Sequence, residues 1–197
     1  KRKDKISLIQ NKALELSLLL SLPASAALLI GSEEIISALF GYGSFDELSV
    51  LNSSKALYYF ALGLPAFSLI KVFSSFFFAN HDTKIPFYIS LISVLVNIVI
   101  SISYFSVIGF IIIPIATTIS SWLNALLLFL FLKNKNLFSF NNIFLINLIK
   151  ISGASILMAL LFNFLILYFQ KELAFDQNIK SFYLILTVVL SLLFYLI

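Results

Sequence analysis

From Ile85 to Leu132 the chain carries no charged residue. A single helix of those 48 residues would be about 72 Å long at 1.5 Å per residue, more than twice the roughly 30 Å of a bilayer's hydrocarbon core. The stretch therefore predicts two crossing helices, Phe87–Ile108 and Gly109–Leu132, joined by a minimal turn near Gly109. The rest of the composition points the same way. Hydrophobic residues make up 61% of the 197 and charged residues 11%, against about 25% charged in a soluble domain; the mean hydropathy is +1.07. Lipid must solvate most of this surface, which excludes a soluble enzyme, a disordered tail and a secreted disulfide scaffold. With no cysteine and one histidine, thiolate chemistry and a transition-metal cluster are excluded too. The net charge of +4 sits at loop ends, where a phospholipid surface explains it better than nucleic acid does.

Four further apolar segments complete the expected fold. Leu16–Ser32 contains Pro23, Ala56–Ala79 contains Gly63, Pro65 and Lys71, Ile143–Phe169 contains Lys150, and Ser181–Ile197 runs to the last residue. No ten-residue alternating segments suggest a barrel. The expectation is an all-α, polytopic membrane protein with about six transmembrane helices. Numbering the connecting segments alternately, one set (1–15, 80–86, 133–142) holds eight basic residues and the other (33–55, the turn near 109, 170–180) holds three. Excess lysine marks the cytoplasmic side, so the first set is expected inside. Glu33–Phe40 reads as a short amphipathic helix lying at the outer surface. Lys1 in place of Met and an apolar run without a polar exit make both ends look cut, as in part of a longer protein.

Few residues within the spans carry polar chemistry. Lys71 is the first: a lysine costs about 2.5–3.5 kcal/mol at the centre of a span on insertion scales. It either snorkels toward Ala79, eight residues and roughly 12 Å away, or meets an anionic substrate in a wet cavity. Asn97 and Ser101 share one helical face, and Thr117, Thr118, Ser120, Ser121 and Asn124 form a comparable polar run on the next span. These residues either join helices or frame a site for a small cation built from neutral oxygens. Pro23 and Pro65 mark helix breaks of the kind that line transporter pathways, or ordinary kinks. His81 reads as a solvated loop residue. No phosphate-binding loop, carboxylate pair or nucleophile–base arrangement is present, so no enzyme is expected.

The order of certain motifs is more specific. Residues 63–86 read GLPAFSLIKVFSSFFFANHDTKIP, with Lys71-Val72, a phenylalanine-rich turn, then Asp82-Thr83-Lys84 and Pro86. Leu22-Pro23-Ala24-Ser25-Ala26 and Leu39-Phe40-Gly41-Tyr42-Gly43-Ser44-Phe45 precede it. Asn97, the spacing from Gly109 to Ala116-Thr117, and Leu123-Asn124-Ala125-Leu126-Leu127 follow. Over about residues 10–135 this series resembles the MurJ (MviN) family of bacterial lipid II flippases, of the multidrug/oligosaccharidyl-lipid/polysaccharide exporter superfamily.

The resemblance implies a fragment of a fourteen-helix flippase in the bacterial cytoplasmic (inner) membrane. Residues 1–132 would hold the last four helices of the second six-helix lobe (spans about 16–32, 56–79, 87–108 and 109–132). Residues 133–197 would add two C-terminal helices (about 143–169 and 181–197). It further implies translocation of lipid II, an undecaprenyl-linked peptidoglycan precursor, by alternating access, with Lys71 in the substrate cavity and phospholipid around the protein. A sodium site would fall on Asn97, Ser101, the Ile113 carbonyl and Thr117. A related polysaccharide-lipid or drug exporter shares the fold; a membrane anchor or part of a membrane-bound enzyme is the alternative of a different class.

Overall fold

A computed structural model describes residues 2–196. Lys1 and Ile197, and the side chains of Arg2, Lys3 and Asp4 in the basic cluster used above for orientation, lie outside what is described. The described residues form seven α-helices: α1 (Arg2–Ile30), α2 (Ser32–Phe40), α3 (Glu47–Ala79), α4 (Lys84–Ile108), α5 (Ile112–Asn134), α6 (Asn142–Tyr168) and α7 (Lys180–Leu196). Among the described residues four helical stretches are long and apolar enough to cross a membrane: Lys5–Ile30, Glu47–Ala79, Lys84–Asn134 and Asn142–Tyr168. The third, of 51 residues, folds back on itself as α4 and α5, so it can cross twice. The 17-residue α7 is shorter, about 25 Å, and makes the sixth long helix.

The turn of the α4–α5 hairpin falls where the sequence places it. Gly109 adopts φ +72°, a conformation costly for a side-chain-bearing residue, and its N–H donates to the Phe105 carbonyl. One turn of 3-10 helix, Gly109–Ile111, leads into α5. Pro114 sits in the first turn of α5, where a missing N–H costs nothing.

Other ends are set by local polar chemistry. Asp46 Oδ1 accepts from the Ser49 N–H at 2.8 Å, and Asn141 Oδ1 accepts from the Phe144 N–H at 2.6 Å; each caps a helix start. Helices α3 and α5 both stop in the same six-to-one pattern. Asp82 N–H donates to the Phe77 carbonyl past His81 at φ +58°, and Leu137 N–H donates to the Leu132 carbonyl past Asn136 at φ +54°. A left-handed residue at that place ends the helix and satisfies its last carbonyls.

Pro23 and Pro65, read above as helix breaks or ordinary kinks, end neither helix: α1 and α3 run through them. The reason is visible at Pro65. A proline cannot donate to the carbonyl four residues back, here that of Ala61, and Ser25 Oγ donates to that oxygen instead at 2.6 Å. Substitute donors of this kind let membrane helices tolerate proline.

The chain divides into two compact units, whose boundaries cut α1 between Leu22 and Pro23, α3 between Leu62 and Gly63, and α6 between Ile151 and Ser152. In the unit containing Gly63–Ile151 and the chain up to Leu22, the core is Leu14, Leu18, Phe73, Phe76, Phe77, Ile89, Leu128, Leu132, Phe138 and Phe144. The α5–α6 loop is tied to α1 within it: Gln10 Nε2 donates to the Leu137 carbonyl at 3.0 Å, and Asn11 Nδ2 to the Ser139 carbonyl at 2.9 Å. In the other unit, Ala38, Phe162, Ile166, Leu173 and Leu184 pack together. A Cβ on Gly31 would lie 2.7 Å from the Phe162 ring, so only glycine lets α1 pass into α2 there. Lipid-facing surface remains apolar, with Ile102 74% and Val107 80% exposed.

Candidate functional site

Polar residues of the two arms of the α4–α5 hairpin meet, Asn97 rather than Ser101 lying against Thr117. Asn97 Nδ2 donates to Thr117 Oγ1 at 3.0 Å and to Ser120 Oγ at 3.3 Å. Thr117 Oγ1 in turn donates to the Ile113 carbonyl at 2.8 Å, and Ser120 Oγ donates to the Thr117 carbonyl at 3.0 Å. Because both hydroxyl protons go to carbonyls of α5, the two oxygens are left as acceptors, which fixes the Asn97 amide with its nitrogen toward them. Three of the four positions named for sodium, Asn97, Ile113 and Thr117, are thus linked. The fourth, Ser101, has a buried Oγ with no hydrogen-bond partner. The set contains only neutral oxygens and, as arranged, ties helix to helix. The same network borders a cavity of about 260 Å³ lined by Ser90, Ser93, Asn97, Ser120, Ser121 and Asn124, among others.

Lys71 is exposed on α3 and lines neither this cavity nor a second one of about 240 Å³. The second cavity is walled by aliphatic and aromatic side chains, among them Leu14, Leu18, Phe73, Trp122 and Phe140, and suits hydrocarbon.

The Asp82-Thr83-Lys84 motif joins two loops. Asp82 Oδ1 accepts from the Ile85 N–H at 3.3 Å and starts α4; Thr83, at the N-cap position, makes no side-chain cap bond. Asp82 Oδ2 pairs with Lys135 Nζ at 2.7 Å. The Lys135 hydrogen bond holds the Asp82 carboxyl below its ordinary range. Pro86 is buried in the first turn of α4. The motif therefore ties the α3–α4 turn to the end of α5, and His81, exposed beside it, serves through its backbone conformation.

One buried charge escaped sequence reasoning. Lys180, counted there as a loop lysine, is 1% exposed. Its Nζ donates to the Gly41 and Phe175 carbonyls, both at 2.7 Å. It also lies 4.4 Å from the Tyr42 ring centre and 4.5 Å from that of Phe175, within cation–π range. Beside it Tyr42 Oη and Ser181 Oγ are 2.7 Å apart, and Ser181 donates to the Ala38 carbonyl. The cage fastens the turn after α2 to the start of α7. Its only sequence signal is a lysine opening an apolar helix, the end where the helix dipole disfavours a cation.

Comparison with known proteins adds the wider context. A family model described as "Lipid II flippase MurJ" matches residues 1–186. The chain is 43% identical over 121 residues to a "Probable lipid II flippase MurJ" of Rhizobium meliloti (strain 1021), covering 61% of this chain and 23% of that protein. It is 39% identical over 121 residues to the protein of the same description from Rickettsia prowazekii (strain Madrid E), covering 61% and 24%. A solved structure, "Lipid II flippase MurJ, inward closed conformation", superposes with a TM-score of 0.79 at 26% identity, over 98% of this chain and 38% of that one. The chain thus spans about a quarter of the length of the curated relatives it matches.

Proposed function

Since the chain belongs to the lipid II flippase MurJ family, we propose that it works as part of a carrier that moves lipid II across the bacterial cytoplasmic membrane by alternating access. The carrier makes and breaks no covalent bond. The observation that carries this reading is the match of nearly the whole chain to one flippase structure at a TM-score of 0.79. On this reading residues 1–132 contribute the last four helices of a six-helix lobe, and 133–197 supply two added helices beside it. Phospholipid covers the outer aliphatic surface.

Lys71 is the group this chain offers to the substrate's pyrophosphate. Its ammonium is exposed on a membrane helix, and an exposed ammonium is a strong partner for phosphate oxygens. The test uses a chimera in which this chain replaces the matching segment of the Rhizobium meliloti relative, expressed in a strain depleted of its own flippase. Lys71→Ala is expected to abolish growth at unchanged membrane abundance, and Lys71→Arg to keep part of it, because the charge stays while the shape changes. Normal growth of the alanine variant would mean that the side chain only snorkels.

Sodium enters the same proposal at Asn97, Ser101, Ile113 and Thr117. A half-turn of the Asn97 amide would exchange its N–H2 for Oδ1 and set it with the Thr117 and Ser120 hydroxyl oxygens near the Ile113 carbonyl, a hard-oxygen set without a carboxylate, to which Ser101 would have to be added by a shift of its side chain. Binding is therefore expected only at high sodium. Sodium substituted for choline at constant ionic strength should raise the melting temperature of the chimera, and Thr117→Val should remove that rise. An equal response in parent and variant would reject the site.

A further inference from the structure

A lysine side chain is long enough to carry its charge to water, and Lys180 does not. Only 1% of the residue is exposed, and among the described residues no carboxylate pairs with it. Neutral groups alone hold its ammonium: the Gly41 and Phe175 carbonyls at 2.7 Å, and the faces of the Tyr42 and Phe175 rings at 4.4 and 4.5 Å. Two carbonyl oxygens with two π faces recognise a primary ammonium and repel an anion. Gly41 is what lets the turn come this close. A Cβ there would lie 2.6 Å from the Ser37 carbonyl oxygen and 3.1 Å from the Lys180 nitrogen.

This chemistry limits how the joined elements can move. Packed helices commonly change shape by sliding about 1–2 Å past one another. A slide of that size between α2 and α7 would break both 2.7 Å bonds while keeping the ammonium inside, and a buried charge without its partners is strongly destabilising. Opening outright would also break the Tyr42–Ser181 and Ser181–Ala38 bonds and part Ala38 from Leu184, which pack in one apolar cluster. We propose that the Lys180 ammonium locks a clasp that stays shut through the carrier's cycle, so that α2, the turn after it and the start of α7 move as one body. The cycle belongs to the carrier reading, on which this part rests; the ammonium site itself does not depend on it.

The test uses the same chimera, stripped of other cysteines. Leu39 and Phe182 are exposed and adjoin the bonded pair Ala38 and Ser181. Leu39→Cys with Phe182→Cys, bridged by a short bis-maleimide, should bring lipid II to the outer leaflet at the rate of the unbridged protein, with each single cysteine as control. Loss of that exposure on bridging would show that the clasp must open and would overturn the proposal, as would a pair that cannot be bridged. A chimera inactive before bridging would count against the carrier reading instead. The second arm reads melting, not transport. Lys180→Ala removes the ammonium and the three carbons before it, and should melt below the parent. n-Propylammonium replaces those atoms and should recover most of the loss, with no effect on the parent or on Lys180→Met, whereas n-propanol should recover none. Recovery by both compounds, or by neither, would mean that the cage is no ammonium site and would end the proposal. The bridging arm keeps Lys180 in place, so it stands even where Lys180→Ala does not fold.

Discussion

Ser25 shows how much a single side chain can decide in a membrane helix. Its hydroxyl donates to the Ala61 carbonyl that Pro65 leaves without a donor, and both groups are buried. An unsatisfied buried acceptor costs about 1–3 kcal/mol, so Ser25→Ala should destabilise the protein by that amount while Ser25→Thr, which keeps the hydroxyl, should not. Thermal unfolding in detergent reads the difference; equal melting of Ser25→Ala and parent would mean that the carbonyl finds another donor. This bond was not legible in the sequence. Ser25 stands out there only as one of several small residues near Pro23, and its acceptor is 36 residues away. Lys180 was hidden for the same reason, its Gly41 partner lying 139 residues off. That the two arms of the hairpin would bring polar residues together was legible from the glycine turn, but counting from Gly109 sets Thr117 level with Ser101, whereas Thr117 bonds Asn97, one turn deeper.

At the scale of elements, hydropathy and turn chemistry are local properties, and what depends on them alone could be read directly. The hairpin at Gly109 and the short acidic-to-apolar α2 are examples. Whether proline breaks a helix or is carried through it could not be read from the sequence, because its effect depends on neighbours that supply the missing donor. Loop-to-loop ties also need tertiary structure, and the Asp82–Lys135 pair is one. Asp82 has its carboxyl pKa lowered, first by the Lys135 hydrogen bond and then by the Ile85 N–H. A depressed carboxylate pKa adds stability above its ordinary value of 3.8, and that contribution is lost as pH falls through the folded value. Asp82→Asn should therefore melt below the parent near neutral pH, and the two should converge as the pH drops below about 4. The gap should also shrink with salt, since the pair is at the surface. A gap independent of pH would mean that the Asp82 charge does not carry the effect.

At the scale of the whole molecule, the chain combines the features a flippase segment needs: helices long enough to cross a bilayer, an aliphatic outer surface and an internally hydrogen-bonded polar seam on the α4–α5 hairpin. Charge counting over the loops gave an orientation, and motif order gave the family, which the match over residues 1–186 bears out. Composition could not reveal the division into two compact units, because its boundaries lie within α1, α3 and α6 rather than in loops. The central claim is that these helices complete a working carrier. Its most direct test is lipid II exposure at the outer leaflet in cells depleted of their own flippase and carrying the Rhizobium meliloti chimera. The account predicts that exposure is restored in the chimera and lost in its Lys71→Ala variant. A chimera that reaches the membrane intact, in normal amount, and yet leaves lipid II in the inner leaflet would contradict it.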